Sequence, residues 1–189
     1  LSTVQPIKYG NKPVDGGHLI IQNQADLDEL LKAEPAASKF IKILLDAQDF
    51  LHNKNRWCLW LIDAQPHELA KLPKVLERVK RVKQFREESV KEQTRNWANR
   101  SSLFVEIRHP KEGNYLAIPR ITSERREYIP IGYLDHSTII NDKIYMIPDA
   151  NLFTFGIVTS AMHMTWMRMS SGRLKSDYQY SIDLSYNTF

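Results

Sequence analysis

The chain has one cysteine, Cys58, among its 189 residues, so it can form no intrachain disulfide and offers no cysteine cluster for a metal. A reducing, cytoplasmic setting fits that usage best. Long apolar runs are also missing. The longest, residues 57–62, is six residues, far short of the roughly 20 needed to cross a bilayer. Glycine is scarce (seven) and proline is no more than ordinary (nine), which excludes a collagen-like or low-complexity chain. The signatures of common catalytic and cofactor sites are absent as well. There is no Gly-x-Gly-x-x-Gly, Gly-x-x-x-x-Gly-Lys, Gly-x-Ser-x-Gly or His-Glu-x-x-His. The six histidines are isolated from one another, and none has the helical spacing of a zinc pair. No catalytic residue and no metal ligand is assigned. Hydrophobic residues at 42% and charged residues at 25% describe an ordinary globular chain, which excludes long disorder. The start at Leu1 without Met and the stop at Phe189 in mid-pattern read as a segment of a longer protein.

The net charge of +4 is unevenly spread. Residues 66–100 hold ten Lys or Arg against five Glu, so this stretch is +5 and the remainder is −1. Leu69, Leu72, Leu76, Val79, Val82 and Phe85 recur every three or four residues there. The pattern predicts one long amphipathic basic helix, from Pro66 to about Ala98. Its charges form either a solvated face with i,i+4 pairs such as Glu87 with Lys91, or a stripe for a polyanion.

Ahead of that helix, Gly10-Asn11-Lys12-Pro13 and Asp15-Gly16-Gly17 mark turns that feed a short strand at 19–21. Asn23 is placed to cap a helix at 24–33. Further helical pieces are expected at 37–45 and 46–51, and residues 56–62 read as a buried strand. Beyond Ser102 the period drops to two, and strands are expected at 103–107, 115–118, 128–131 and 143–147. Residues 153–169 read as one buried helix that ends at Gly172, and 173–186 as an extended segment. The fold class is therefore α+β, in three parts. These are an N-terminal helical and strand part (1–65), the long basic helix as a spacer (66–100), and a β-rich lobe with a C-terminal helix (101–189).

Five ordered stretches resemble a known family. They are Gly10-Asn11-Lys12-Pro13-Val14-Asp15-Gly16-Gly17, then Phe50-Leu51-His52-Asn53-Lys54-Asn55-Arg56-Trp57-Cys58-Leu59-Trp60-Leu61, and residues 118–132 beginning Ile118-Pro119-Arg120. Phe155-Gly156-Ile157-Val158-Thr159-Ser160-Ala161-Met162-His163-Met164-Thr165-Trp166 and residues 171–181 with the closing Tyr186-Asn187-Thr188-Phe189 complete the set. In this order they are similar to the C-terminal half of the MmeI-like DNA methyltransferases, which occur alone or fused to an endonuclease in bacterial type II restriction–modification systems. The resemblance implies a target recognition domain that binds double-stranded DNA. The partner it implies is an adenine-N6 methyltransferase core in the same polypeptide, with S-adenosylmethionine held there and no cofactor in this segment.

It also implies base-choosing roles for Arg120, Asp142, Lys143, Lys175, Asp177 and Gln179. The family carries Arg more often where this chain has Gln179. Side-chain chemistry agrees with such roles: Arg and Lys suit guanine, Gln suits adenine, and Asp accepts from cytosine. Lys175, Asp177 and Gln179 are two apart and are expected to project together from one face of an extended segment, with Tyr178 and Tyr180 turned into the scaffold. Ser123, Arg125, Arg126 and Arg173 are better suited to the DNA backbone or to structural pairing. Two other readings stand beside this one: a protein–protein scaffold whose basic helix docks an acidic partner, and a hydrolase with a dispersed active site.

Overall fold

In a computed structural model, residues 5–189 are described and form an α+β structure. Strands β1 (Lys8–Tyr9) and β2 (Ile20–Ile21) precede helix α1 (Gln24–Ala33), which Asn23 caps by accepting from the Asp26 N–H at 2.9 Å. Pro35–Phe40 is a 3₁₀ turn, and β3 is Ile41–Leu45. Helix α2 (Ala47–His52) carries a reciprocal cap: Asp46 accepts from the Gln48 and Asp49 amides, and Asp49 accepts from the Asp46 amide. Then come β4 (Arg56–Leu59), α3 (Pro66–Leu69), α4 (Pro73–Glu87) and α5 (Glu92–Arg95). The remaining strands and helices are β5 (Asn114–Pro119), β6 (Ile121–Thr122), β7 (Gly132–Asp135), β8 (Thr138–Ile140), β9 (Ile144–Pro148), α6 (Leu152–Val158), α7 (Ala161–Ser170), β10 (Gly172–Leu174) and β11 (Asp177–Gln179).

The chain divides into two compact units that interleave in sequence. One comprises the described residues through Gly10, with Asp46–Lys54 and Arg108–Phe189; the other is Asn11–Leu45 with Asn55–Ile107. Neither boundary expected from the sequence, at 65 or at 100, coincides with a unit border.

The second unit holds an antiparallel sheet in the order β2-β4-β3, with Ile20 opposite Cys58 and Ile43 opposite Trp57. Segment 41–45 is thus a strand and not the expected helix: Ile41 and Ile43 are β-branched, and each pairs across to β4. The long basic helix is likewise broken into α3, α4 and α5. Pro73 forces its predecessor out of helical geometry, and Leu72 has φ −123° and ψ 74°. After Glu87 the chain turns back, with the Arg95 guanidinium donating to the Ser89 and Val90 carbonyls. The cause of that return lies in Arg86. Its side chain is fully buried, and it donates from Nε to Val14 O (2.9 Å), from Nη1 to Trp97 O (3.1 Å) and Arg100 O (2.9 Å), and from Nη2 to Pro13 O (3.0 Å) and Leu103 O (2.7 Å). All five donors of the fork are used, and all five acceptors are backbone carbonyls. A residue counted with the basic stripe is therefore the polar centre of this unit. Gly16 sits nearby at φ +63°, where a Cβ would lie 2.8 Å from the Phe85 ring.

The first unit contains a four-stranded antiparallel sheet, β1-β9-β5-β7, and a three-stranded one, β10-β11-β6. Leu116, Ile118, Tyr145 and Ile147 of the central strands form its core with Val158, Met164 and Met167 of α6 and α7 and with Tyr180 and Tyr186. The expected strands at 103–107 and 128–131 are not formed; the first contributes only a bridge from Glu106 to Lys12, and β7 starts at Gly132. The expected single helix at 153–169 is two helices, because the Ser160 side chain caps a new start by accepting from the His163 amide at 3.1 Å. Leu152, Phe153, Met162 and Met169 on them are exposed, so neither helix is apolar-buried on all faces. Segment 173–186 folds into the β10–β11 hairpin followed by a π-helical turn, Ile182–Tyr186.

Candidate nucleic-acid interface

Four short segments of the first unit converge on one concavity of about 600 Å³. The segment running from the β5–β6 junction to the turn after β6 supplies Arg120, Ser123 and Arg126. The turn before β9 supplies Asp142 and Lys143, the start of β11 supplies Asp177, and α2 supplies Asp46, Gln48 and His52.

Arg120 stitches these segments together through its backbone. Its amide donates to Lys143 O at 3.1 Å, and its carbonyl accepts from the Tyr180 amide at 2.8 Å. Its guanidinium donates from Nη1 to Asp142 O at 2.9 Å and lies 5.0 Å from the centre of the Tyr9 ring and 5.6 Å from that of Tyr145. These ring faces favour the cation and fix its direction. Burial pushes the Tyr145 hydroxyl up to about 12, so at neutral pH it is an uncharged donor, 3.3 Å from Tyr180 O.

The turn that carries Asp142 and Lys143 is closed twice. Asn141 Oδ1 accepts from the Lys143 amide at 2.9 Å, and Asn141 O accepts from the Ile144 amide at 3.1 Å. Gly10 makes room for that turn. A Cβ on Gly10 would lie 2.1 Å from Asn141 O, while the Gly10 amide donates to Ile144 O at 2.9 Å. Ser123 shapes a second turn, with its carbonyl accepting from the Arg126 amide at 3.0 Å and its hydroxyl from the Arg125 amide at 3.3 Å.

Of the six expected base-choosing residues, Arg120, Asp142, Lys143 and Asp177 line the concavity; Lys175 and Gln179 lie outside its lining. Lys175 occupies the two-residue turn between β10 and β11 at φ +57°, so it does not share a strand face with Asp177. Asp177 and Gln179 do alternate on β11, and Tyr180 is buried as expected. Gln179 sits opposite Ile121 and Gly172. Of the four residues assigned to backbone or structural pairing, Ser123 and Arg126 line the concavity. Arg173 is turned to its own hairpin: its guanidinium is 4.2 Å from the Tyr178 ring centre, donates to Ser176 O at 2.8 Å and lies 3.7 Å from Glu124. Arg125 is exposed and outside the lining.

Sequence reasoning did not select α2. Its local signal was present in the Asp46 and Asp49 cap pair, but nothing local announces that a segment more than 60 residues upstream of Arg120 shares its concavity. The lining mixes signs. Arg120, Arg126 and Lys143 stand among Asp46, Asp142 and Asp177, with the amide of Gln48 between them in kind. Much of the basicity of 66–100 is meanwhile used internally. Arg78 donates to His18 O and Ile20 O, Lys74 pairs with Glu29, Arg81 with Glu77 and Lys83 with Glu87. Glu87 is therefore paired four residues upstream, within α4, which ends at Glu87, short of Lys91.

The target recognition domain of MmeI matches residues 1–189. DNA methyltransferase A of Bacillus subtilis (strain 168) is 35% identical over 189 residues, which is all of this chain and 21% of that protein. The solved structure of the type IIL restriction–modification enzyme MmeI in complex with DNA is similar with a TM-score of 0.95 at 39% identity, over 100% of this chain and 25% of that one. The chain thus spans about a fifth to a quarter of the length of these relatives.

Proposed function

Because the chain belongs to the family of MmeI target recognition domains, we propose that its concavity reads base edges of duplex DNA. The reading serves an adenine-N6 methyltransferase core in the same polypeptide, which binds S-adenosylmethionine and takes the target adenine out of the stack before methyl transfer. The MmeI structure with DNA supports a nucleic-acid partner. The observation that carries base reading, rather than mere attraction to DNA, is the mixed lining. Phosphate binding alone selects uniform positive charge, and carboxylates in the groove oppose it. Base edges instead present donors and acceptors side by side, and a mixture of Asp, Arg and Lys on rigid turns matches them.

In this reading Asp177 and Asp142 accept from cytosine amino groups, while Lys143 and Arg120 donate to guanine. Arg120 has less freedom, since one of its N–H groups is held by Asp142 O. Lys175 and Gln179 flank the concavity and contact bases only where the duplex extends along the β10–β11 hairpin. Ser123, Arg125 and Arg126 face phosphates; Arg173 braces Tyr178. The scaffold reading relied on a free basic stripe, and Arg78 and Arg86, which donate to backbone carbonyls, are withdrawn from it.

Replacing Asp177 by Ala is expected to cost about 1–3 kcal/mol of discrimination and to relax preference at one base position. Sequencing of the sites methylated by the intact protein measures this. An unchanged site profile would remove Asp177 from base reading.

A further inference from the structure

We infer that α2 is a further reading element and that Gln48 selects a base. This rests on the reading of the concavity given above and adds a residue to it. Gln48 and His52 are four apart, one helical turn, so they share a face of α2. Both are exposed, both line the concavity beside Asp142, Lys143 and Asp177, and among the described residues neither side chain has a hydrogen-bond partner.

The helix beneath them is held more firmly than six residues require. Asp46 and Asp49 cap one end reciprocally, with Asp49 buried. At the other end Asn53 takes the left-handed conformation at φ +51°, and the Lys54 amide donates to Asp49 O at 3.0 Å. Phe50 reaches the opposite way and comes to 3.4 Å from where a Cβ on Gly132 would stand. A free two-ended amide on a short, pinned helix is what base reading needs: the fork is presented without a large loss of freedom on binding. The amide donates and accepts side by side, which matches adenine at N7 and N6. Gln48 therefore specifies an adenine in the recognised sequence.

The test is selection from a randomised duplex library by the intact protein, comparing the wild type with Gln48→Ala, Gln48→Glu and Asp177→Ala. The expected result is loss of one adenine preference in Gln48→Ala by a factor between roughly 5 and 150. Gln48→Glu keeps an acceptor but loses the donor, and is expected to turn that position towards cytosine. Should Asp177→Ala relax its own position while both Gln48 variants retain the wild-type profile, α2 is no reading element and the concavity still is. A uniform loss across all sequences in Gln48→Ala likewise overturns base selection by this residue. If the wild type enriches no sequence at all, the reading of the concavity fails, and this inference fails with it.

Discussion

Arg86 offers the sharpest test of the fold. Five backbone carbonyls from residues 13, 14, 97, 100 and 103 receive its five donors at 2.7–3.1 Å, and the side chain is fully buried. In Arg86→Lys the ammonium has three donors, so at least two of the five charged hydrogen bonds are lost, although Trp97 O and Arg100 O keep the Arg100 and Leu103 amides as donors at 3.0 Å. A hydrogen bond from a charged donor contributes about 1.5–3 kcal/mol, so losing two places the cost at about 3–6 kcal/mol. A domain is commonly stable by only 5–15 kcal/mol, so the substitution removes a large share of that margin. Urea unfolding followed by tryptophan fluorescence reports on it, because Trp57, Trp60 and Trp97 lie in the same unit as Arg86. A loss below about 0.5 kcal/mol, within the range of an ordinary surface substitution, would refute the claim that this fork closes the unit.

Other perturbations follow from particular contacts. In Gly10→Ala the new Cβ must displace the Asn141 carbonyl, and overpacking of this kind costs about 1–3 kcal/mol; thermal unfolding measures it, and an unchanged midpoint would mean that the turn bearing Asp142 and Lys143 yields freely. Burial holds the His163 imidazole down to about 4 against an unfolded value near 6.5, beside Tyr180 Oη at 2.8 Å. The unfolded chain therefore takes up this proton first. Stability from His163 is intact above about pH 6.5 and is lost as the pH falls towards 4, by about 3 kcal/mol in total. Urea midpoints between pH 7 and pH 4.5 for wild type and His163→Gln test this; equal slopes in the two would contradict it.

Local chemistry made several elements legible. The cap of α1 by Asn23 and the short apolar runs that become β4, β5 and β9 each depend on neighbours in sequence. What escaped is non-local. Nothing in the periodicity of 66–98 distinguishes Arg86 from the solvated cations around it, and its burial follows from carbonyls that arrive from both sides of α4 in sequence. Segment 41–45 is ambiguous in sequence because a short apolar run suits helix and strand alike until a partner strand, here β4, is known. The candidate site divides the same way. Asp142, Lys143 and Asp177 stand on turns and a strand start that sequence marks out, whereas Lys175 was misplaced by one hairpin turn and α2 joins through the fold alone.

The central claim is that mixed polar groups on braced turns face nucleotide edges. A crystal structure of the intact protein with its recognised duplex tests it most directly. Asp142, Lys143 and Asp177 are predicted to lie within hydrogen-bond distance of base edges in the major groove. If these side chains face solvent or touch only phosphates, the account is wrong.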